Sequence, residues 1–246
     1  MTEFTIKLAK IPILVRCCFA STRQFCRDYL TDEPGEAAVD IRPPDIMAER
    51  RLDARQMALE GYRQSDYTDA YMETLALCRK VAEALAKKDV LLFHGSVIAY
   101  REKAYIFTAP SGTGKTTHCR LWLENIPDCH ILNGDKPLLL FGENALYACG
   151  SPWQGKERYG VNEILPVEAI CLLERDATNH IEPISFSQAF PQLLPQFHKP
   201  DALTGAEMVR LLARLGPVGL FRLGCNMERE AAFTSFRGMV GDGADI

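Results

Sequence analysis

The stretch Ala109-Pro110-Ser111-Gly112-Thr113-Gly114-Lys115-Thr116-Thr117 follows an apolar run, 105–107, and opens a segment with helical spacing. This order predicts a strand, a glycine-rich loop and the start of a helix. Small residues let successive backbone N–H groups curl around phosphate oxygens, and the helix N-terminus adds its dipole. The stretch therefore predicts a nucleotide phosphate-binding loop, and the alternative is a structural turn. The predicted contacts are Ser111, Gly112, Thr113, Gly114, Lys115, Thr116 and Thr117.

Two residues of this loop carry the expected chemistry. The ammonium of Lys115 would reach the β- and γ-phosphates, and the hydroxyl of Thr116 would bind a magnesium ion. The usual pattern begins with glycine, whereas this chain has Ala109 at that position. Alanine is small enough for the loop, although it cannot adopt every backbone conformation that glycine allows.

A second element follows the loop helix. His130-Ile131-Leu132-Asn133-Gly134-Asp135 is a short apolar strand that ends in a carboxylate. A nucleotide-binding protein of this type places its magnesium-associated acid at such a strand end. Asp135 is therefore the second predicted metal ligand, and the alternative is a turn residue before Pro137.

The composition narrows the class of protein. The chain has 246 residues, of which 47% are hydrophobic and 24% charged, and its formal net charge is −4. These values are typical of a globular protein, and no basic run predicts nucleic-acid binding. No apolar stretch approaches the roughly 18 residues of a membrane span, and the N-terminus carries no export signal. Nine cysteines without a Cys-x-x-Cys pair favour reduced thiols, so we expect a cytoplasmic protein with no nucleic-acid or membrane partner.

The chain divides into two predicted domains. Residues 1–65 read as a small N-terminal α/β lobe, and residues 66–246 as the nucleotide-binding domain. The second domain begins with a helix at 68–88, which has apolar positions at helical spacing and Thr68 or Asp69 as its cap. Strand-like segments at 90–100 and 104–108 then form a hairpin that leads into the glycine-rich loop.

His94 lies within the first of these predicted strands. A histidine between apolar residues is more often a satisfied core group than a catalytic one. Its strand leads directly into the strand before the loop, which places His94 near the predicted site. The sequence leaves both interpretations open.

The segment 149–158 is rich in glycine and polar residues and too irregular for a helix or a strand. Loops held by a rigid sheet often carry function. Lys156 and Arg158 are predicted to face the phosphates, where they would neutralise the transferring oxygens. The alternative is a solvated loop in which Trp153 packs for stability.

Cys119, in the first turns of the loop helix, is interpreted as a packing residue, the alternative being an activated thiol.

The remaining elements complete an α/β pattern. An apolar strand at 166–174 is predicted to be buried on both faces. Thr204 and Glu207 form a capping box that starts a clear helix, and a last strand at 218–223 precedes a closing helix. The predicted fold is a P-loop core of mixed sheet flanked by helices.

The order of these motifs resembles the HPr kinase/phosphorylase family, which shares its P-loop core with ATP-dependent phosphoenolpyruvate carboxykinase. The resemblance rests on His94-Gly95, on Ser-Gly-Thr-Gly-Lys-Thr-Thr at 111–117 and on Asn133-Gly134-Asp135, and it covers roughly residues 90 to 175. It implies an ATP- and Mg²⁺-dependent kinase that transfers the γ-phosphoryl group to a hydroxyl. In that family the acceptor is a serine of a small phosphocarrier protein, and relatives modify ribosomal peptides.

The resemblance also implies residue roles. His94 matches the family histidine, Lys115 and Thr116 match the phosphate and magnesium positions, and Asp135 matches the second of two consecutive aspartates. Gly134 stands where the family has the first aspartate. Asp135 could then hold the magnesium ion while His94, or a group of the substrate, accepts the proton.

Several points stay open in the sequence. The acceptor is a hydroxyl-bearing protein, a peptide or a small metabolite, and no residue pattern decides between them. The resemblance implies a homo-oligomer. The alternative function is a nucleotide-binding regulatory protein without turnover, which the missing first aspartate and Ala109 favour.

Overall fold

A computed structural model of the chain describes residues 1–59 and 66–241. The chain divides into two compact units, Met1–Lys88 and Asp89–Ile246. The predicted boundary after residue 65 lies outside the described residues. The helix predicted at 68–88 belongs to the first unit, whereas the sequence analysis assigned it to the second.

The first unit combines a small sheet with helices. Strand β1 pairs antiparallel with β2, and β2 pairs parallel with β3. This unit is therefore α/β, as the sequence predicts for the N-terminal lobe. Its described elements are, in chain order, β1 (Thr2–Leu8), β2 (Ile11–Cys17), α1 (Ala20–Phe25), β3 (Ala37–Asp40), α2 (Pro43–Leu59) and α3 (Asp69–Ala86).

Helix α3 begins as its sequence predicts. The hydroxyl of Thr68 accepts a hydrogen bond from the Tyr71 amide at 3.2 Å, which satisfies one of the free donors of the first turn. The apolar face of α3 packs against α1, α2 and β3, and this packing explains why the helix belongs to the first unit. Among the described residues, no helix has the length and apolar character to cross a membrane.

A buried carboxylate ties α3 to the start of α1. Glu73 is fully buried, and its side chain accepts hydrogen bonds from the Cys18 amide at 2.6 Å and the Phe19 amide at 3.1 Å. The Thr22 hydroxyl donates to the same carboxylate. A buried carboxylate is tolerated only when such donors surround it, so Glu73 and the α1 terminus stabilise each other.

The second unit is built on one mixed sheet of nine strands, counted over the described residues. The path of the sheet is β4-β8-β9-β10-β6-β5-β7, and β12 pairs with both β10 and β11. The α/β class with a mixed sheet flanked by helices is thus confirmed. The elements are β4 (Val90–Leu92), β5 (Ser96–Tyr100), β6 (Lys103–Thr108), α4 (Lys115–Asn125), β7 (Cys129–Asn133), β8 (Leu138–Phe141), β9 (Leu146–Cys149), β10 (Ile164–Arg175), β11 (His180–Pro183), α5 (Phe186–Leu193), α6 (Gly205–Leu212), β12 (Gly219–Cys225) and α7 (Glu230–Val240).

Strand β10 lies at the centre of this sheet. It runs parallel to both β6 and β12, and its first residues pair antiparallel with β9. Residues 169–173 are all buried, which confirms the prediction of a strand covered on both faces. Because β6 and β10 are parallel, their carboxyl ends meet at one edge of the sheet.

Helices α4 and α7 cover one face. Trp122 of α4 is fully buried against the rings of Phe107 and Phe236. Its indole Nε1 donates to Ser235 Oγ of α7 at 2.7 Å, so the polar atom of this large side chain is satisfied. This packing fixes the body of α4, and with it the direction in which the helix N-terminus points.

In this unit one sequence prediction is wrong and one strand was missed. The predicted strand 90–100 is broken at His94-Gly95, because β4 pairs with β8 whereas β5 pairs with β6 and β7. A Cβ on Gly95 would lie 2.7 Å from the Phe93 ring, so the chain needs glycine where it changes direction. Strand β11 was not predicted, since its four residues carry no apolar pattern.

Replacing Glu73 by alanine should destabilise the protein. Two amides and one hydroxyl would lose their acceptor in a buried place, which we expect to cost about 3 kcal/mol of unfolding free energy or more. Urea denaturation monitored by circular dichroism measures this. Glu33→Ala is the matched control, because Glu33 pairs with Lys7 at 2.6 Å on the surface and should cost about 1 kcal/mol or less. Equal losses in the two variants would contradict the role of Glu73.

Candidate functional site

The glycine-rich loop (109–117) connects the end of β6 to the start of α4. Gly112 has a φ of 77° and Gly114 a φ of 129°, both in the range that favours glycine. No atom lies within 4 Å of a Cβ built on either residue, so the requirement is conformational and not steric. Ala109 is buried and has no positive φ, which explains why alanine is accepted where the usual motif has glycine.

The N-terminus of α4 is open to a ligand. Gly114 is its N-cap residue and, as a glycine, has no side chain that could accept a hydrogen bond from the first-turn amides. Free amides at a helix N-terminus, together with the helix dipole, favour an anion. The start of α4 therefore has the electrostatic character of an anion site.

Lys115, the first residue of α4, folds back over the loop. Its Nζ donates to the carbonyl oxygen of Ala109 at 2.9 Å and lies 3.5 Å from that of Pro110. Burial lowers the pKa of the Lys115 ammonium, and the nearby charge of Asp135 acts in the opposite direction. The ammonium is thus held at the mouth of the loop, within electrostatic range of Asp135.

A second cation, Arg175, stabilises the loop by binding its carbonyl oxygens. Arg175, at the carboxyl end of β10, donates from Nη2 to the Gly112 carbonyl at 2.5 Å and from Nε to the Thr113 carbonyl at 3.2 Å. Sequence reasoning did not find this residue. The only signal was its place at the end of the central strand, which is informative once β10 is known to run parallel to β6.

Asp135 is positioned by a buried asparagine. Asn133 Oδ1 accepts from the Asp135 amide at 3.0 Å and from the Lys136 amide at 2.9 Å, and this turn ends β7. Asn133 is fully buried, and its Nδ2 donates to Ser151 Oγ at 3.0 Å. The backbone of Asp135 is therefore fixed, and its half-exposed carboxylate faces the loop region.

His94 lies in the break between β4 and β5, opposite Asp135. The His94 amide donates to the Gln196 carbonyl at 2.7 Å, and its Nδ1 lies 3.0 Å from Gln196 Oε1. Because an amide oxygen only accepts, Nδ1 carries the proton in this arrangement. The other ring nitrogen, Nε2, lies 3.7 Å from Asp135 Oδ1.

The structure brings three predicted residues together. Burial lowers the pKa of the His94 imidazole, the positive charge of Lys115 lowers it further, and Asp135 raises it. His94 and Asp135 are therefore neighbours, and Lys115 is near enough for its charge to affect the pKa of His94. Lys136, which the sequence analysis did not single out, belongs to the same cluster. Its Nζ lies 2.8 Å from Asp135 Oδ2, and its charge also lowers the pKa of His94.

The glycine-rich loop contributes to two cavities. One, of about 520 Å³, is lined by Thr116 and Thr117 together with Gly134 and Glu157. The other, of about 840 Å³, is lined by residues 108–113 and the end of β10, together with Gln196. Space for a ligand thus adjoins the loop on both sides.

Lys156 and Arg158 lie in the irregular segment between β9 and β10. Both side chains are exposed, whereas Trp153 and Gln154 of the same segment are buried. Neither Lys156 nor Arg158 lines the two cavities described above, although Glu157 lines the smaller one. Their contact with phosphate stays a prediction.

The structure leaves no room for a side chain at position 134. A Cβ on this residue would lie 2.6 Å from the Gln154 carbonyl oxygen, which is closer than real contacts allow. The hydroxyl of Ser96 also donates to the Gly134 carbonyl at 2.8 Å, which holds the backbone in place. The segment after β9 therefore occupies the space that an acidic side chain at position 134 would need.

Two further results concern the site chemistry. Among residues 1–59 and 66–241, no group of three or more His, Cys, Asp and Glu side chains could hold a metal ion. Cys119 is buried, and burial raises the pKa of its thiol to about 12. A thiol of this kind is inert at neutral pH, which supports the packing role.

Replacing Gly134 by alanine should destabilise the turn that carries Asp135. Because the new Cβ would clash with main-chain atoms, we expect a loss of about 1–3 kcal/mol of unfolding free energy. Gly205→Ala is the matched control, since a Cβ at this first residue of α6 meets nothing within 4 Å. Urea denaturation should show an unchanged or higher stability for the control. A Gly134→Ala protein as stable as wild type would show that the Gln154 carbonyl moves freely.

Comparisons with known proteins include a distant structural likeness. No protein-family model and no curated protein sequence matches the chain. The solved structure of the Hpr(Ser) kinase/phosphatase from Coxiella burnetii is similar over 61% of this chain and 87% of that chain, with 10% sequence identity and a TM-score of 0.36. A likeness of this size carries no argument about activity, so the function has to be argued from the site itself.

Proposed function

We propose that this protein is an ATP- and Mg²⁺-dependent kinase that transfers the γ-phosphoryl group to a hydroxyl of a protein, a peptide or a small metabolite. One observation carries the proposal. Lys115 lies at the start of a helix behind a glycine-rich loop, and its charge lowers the pKa of His94, whose Nε2 lies 3.7 Å from Asp135 Oδ1. A phosphate-binding cation, a carboxylate and a neutral base are the groups that phosphoryl transfer needs in one place.

The loop fits the phosphates of a nucleotide. Lys115 Nζ already contacts two carbonyl oxygens of the loop, and phosphate oxygens would replace them as stronger, charged acceptors. The uncapped amides of α4 supply further donors. The open space around Gly112 and Gly114 allows close approach of a phosphate to the backbone.

A magnesium ion would be held by few protein groups. Thr116 is exposed at the start of α4, and Asp135 presents a half-exposed carboxylate. Magnesium is usually bound by one or two protein oxygens together with substrate phosphates and water, so the absence of a cluster of three ligands among the described residues fits this donor set. When bound, the ion would neutralise phosphate charge. The residues that would hold it are Thr116 and Asp135.

His94 is the residue best placed to accept the proton of the acceptor hydroxyl. With its Nδ1 proton donated to Gln196, the Nε2 lone pair is available. The lowered pKa of His94 keeps the ring neutral near pH 7. Asp135 is a weaker candidate, because its Oδ2 already contacts Lys136 Nζ at 2.8 Å. In this proposal Asp135 binds the magnesium ion, and His94 accepts the proton of the acceptor hydroxyl.

The second candidate function is a nucleotide-binding regulatory protein without turnover. Gly134 favours it, because a chain with no room for a second acidic residue has one carboxylate fewer for catalysis. The two functions share the loop and differ in one respect. A kinase converts ATP to ADP when an acceptor is present, whereas a regulatory protein binds without conversion.

A cytoplasmic location and a homo-oligomeric state belong to the same proposal. Both derive from the sequence, the first through nine cysteines without a Cys-x-x-Cys pair and the second through the family resemblance. The acceptor class is best approached by assaying proteins, peptides and small alcohols in parallel with γ-labelled ATP. Label transfer to any of them would favour the kinase.

Lys115→Ala should fold normally and lose nucleotide binding. The variant removes the cation that offsets phosphate charge, so we expect ATP affinity to fall by about tenfold or more and transfer by on the order of 10²-fold. Calorimetric titration with ATP, with and without Mg²⁺, measures the first effect. Thermal unfolding of the variant within a few degrees of wild type is the control. Retention of near-wild-type ATP binding would refute the proposed function.

Asp135→Asn should separate binding from transfer. The amide keeps the shape of the side chain but loses its charge, so we expect ATP binding to be partly kept and magnesium-dependent transfer to be lost. Titrating Mg²⁺ against ATP binding and against transfer tests both parts. A magnesium dependence identical to that of wild type would exclude Asp135 as a metal ligand.

A further inference from the structure

We propose that Lys136 is a second γ-phosphate-binding residue, held on Asp135 in the nucleotide-free protein and turning to the γ-phosphoryl oxygens when ATP binds. This inference rests on the proposed function, because it concerns the same site. It concerns a residue that the glycine-rich motif does not include.

The backbone of Lys136 is placed as firmly as that of Asp135. Its amide donates to Asn133 Oδ1 at 2.9 Å and to the Trp153 carbonyl at 3.1 Å. Its carbonyl accepts from Ser151 Oγ at 2.6 Å. With the main chain tied at both polar groups, only the side chain of Lys136 can reorient.

The side chain of Lys136 is partly buried against a residue of the predicted site. Lys136 Nζ contacts Asp135 Oδ2 at 2.8 Å, and the exposed fractions of the two side chains are 37% and 30%. The other oxygen, Asp135 Oδ1, faces His94 Nε2 at 3.7 Å. Asp135 is therefore flanked by Lys136 on one oxygen and by His94 on the other.

The charge balance of this cluster favours an anionic ligand. Lys115 and Asp135 offset each other, and His94 is neutral, so Lys136 leaves the cluster with a net positive charge. The magnesium complex of ATP is an anion. A lysine that is already half-buried pays less to approach a phosphate than one that is fully hydrated, because part of its desolvation is complete.

When ATP binds, we expect Lys136 to exchange the carboxylate of Asp135 for oxygens of the γ-phosphoryl group. A γ-phosphoryl group beside Lys115 would offer Lys136 oxygens with a higher charge than the single carboxylate. When Lys136 leaves Asp135 Oδ2, that oxygen would become available to bind the magnesium ion. Lys136 would thus respond to the γ-phosphoryl group specifically, since ADP lacks it.

The test compares the two nucleotides. Calorimetric titration of Lys136→Gln with ATP and with ADP, each with Mg²⁺, should show ATP binding weakened by about tenfold and ADP binding changed by about twofold or less. Lys136→Arg keeps the charge and should retain the wild-type preference for ATP to within about threefold. Phosphoryl transfer by Lys136→Gln should fall with an unchanged KM for the acceptor.

Lys103→Gln is the matched control. Lys103 forms an ion pair of nearly the same length, 2.9 Å to Glu168, at the opposite end of β6 from the glycine-rich loop. It should leave the affinities for both nucleotides unchanged, and its unfolding free energy shows the cost of losing one such pair. Equal weakening of ATP and ADP binding in Lys136→Gln, or no change in either, would overturn the role of Lys136. Failure of the wild-type protein to bind either nucleotide would overturn the proposed function, and this proposal with it.

Discussion

The site depends on one buried amide. Asn133 ends strand β7 with every polar atom of its side chain paired: Oδ1 accepts two main-chain amides, and Nδ2 donates to the carbonyl and the hydroxyl of Ser151. Each buried donor or acceptor left without a partner would cost roughly 1–3 kcal/mol of folding free energy. The network therefore stabilises the protein only if all of its hydrogen bonds form. Because it is complete, the turn with Asp135 and Lys136 and the segment that begins at Ser151 form one rigid piece.

The second determinant of the site is the parallel pairing of β6 with β10. Parallel strands present their carboxyl ends at the same edge, which places the glycine-rich loop beside Arg175. Arg175 binds the carbonyl oxygens of Gly112 and Thr113, which leaves the first-turn amides of α4 available. The loop is thus supported by a protein side chain and still adjoins two cavities with space for a ligand. Packing of Trp122 between α4 and α7 keeps the helix aligned with this opening.

Local patterns in the sequence were sufficient for much of the fold. The strand, loop and helix around Lys115, the capping box at Thr204 and the buried strand within β10 were predicted, because each depends on neighbours in the chain. Three features were not predicted, because each depends on packing between distant segments: the placement of helix α3, the break at His94 and strand β11. The same distinction holds at the site. His94, Lys115 and Asp135 were singled out by motif, whereas Gln196, Lys136 and Arg175 acquire a role only through distances that the chain order does not contain.

The contact between Gly134 and the Gln154 carbonyl also constrains how this sequence can vary. Position 134 and the segment that includes residue 154 cannot change independently, because any larger residue at 134 requires the other segment to withdraw first. Homologues with this arrangement should therefore keep glycine at this position, and those with an acidic residue there should differ in the length or conformation of the second segment. Position 134 should therefore covary with the length or conformation of the segment around residue 154, and the two arrangements would be two types of site.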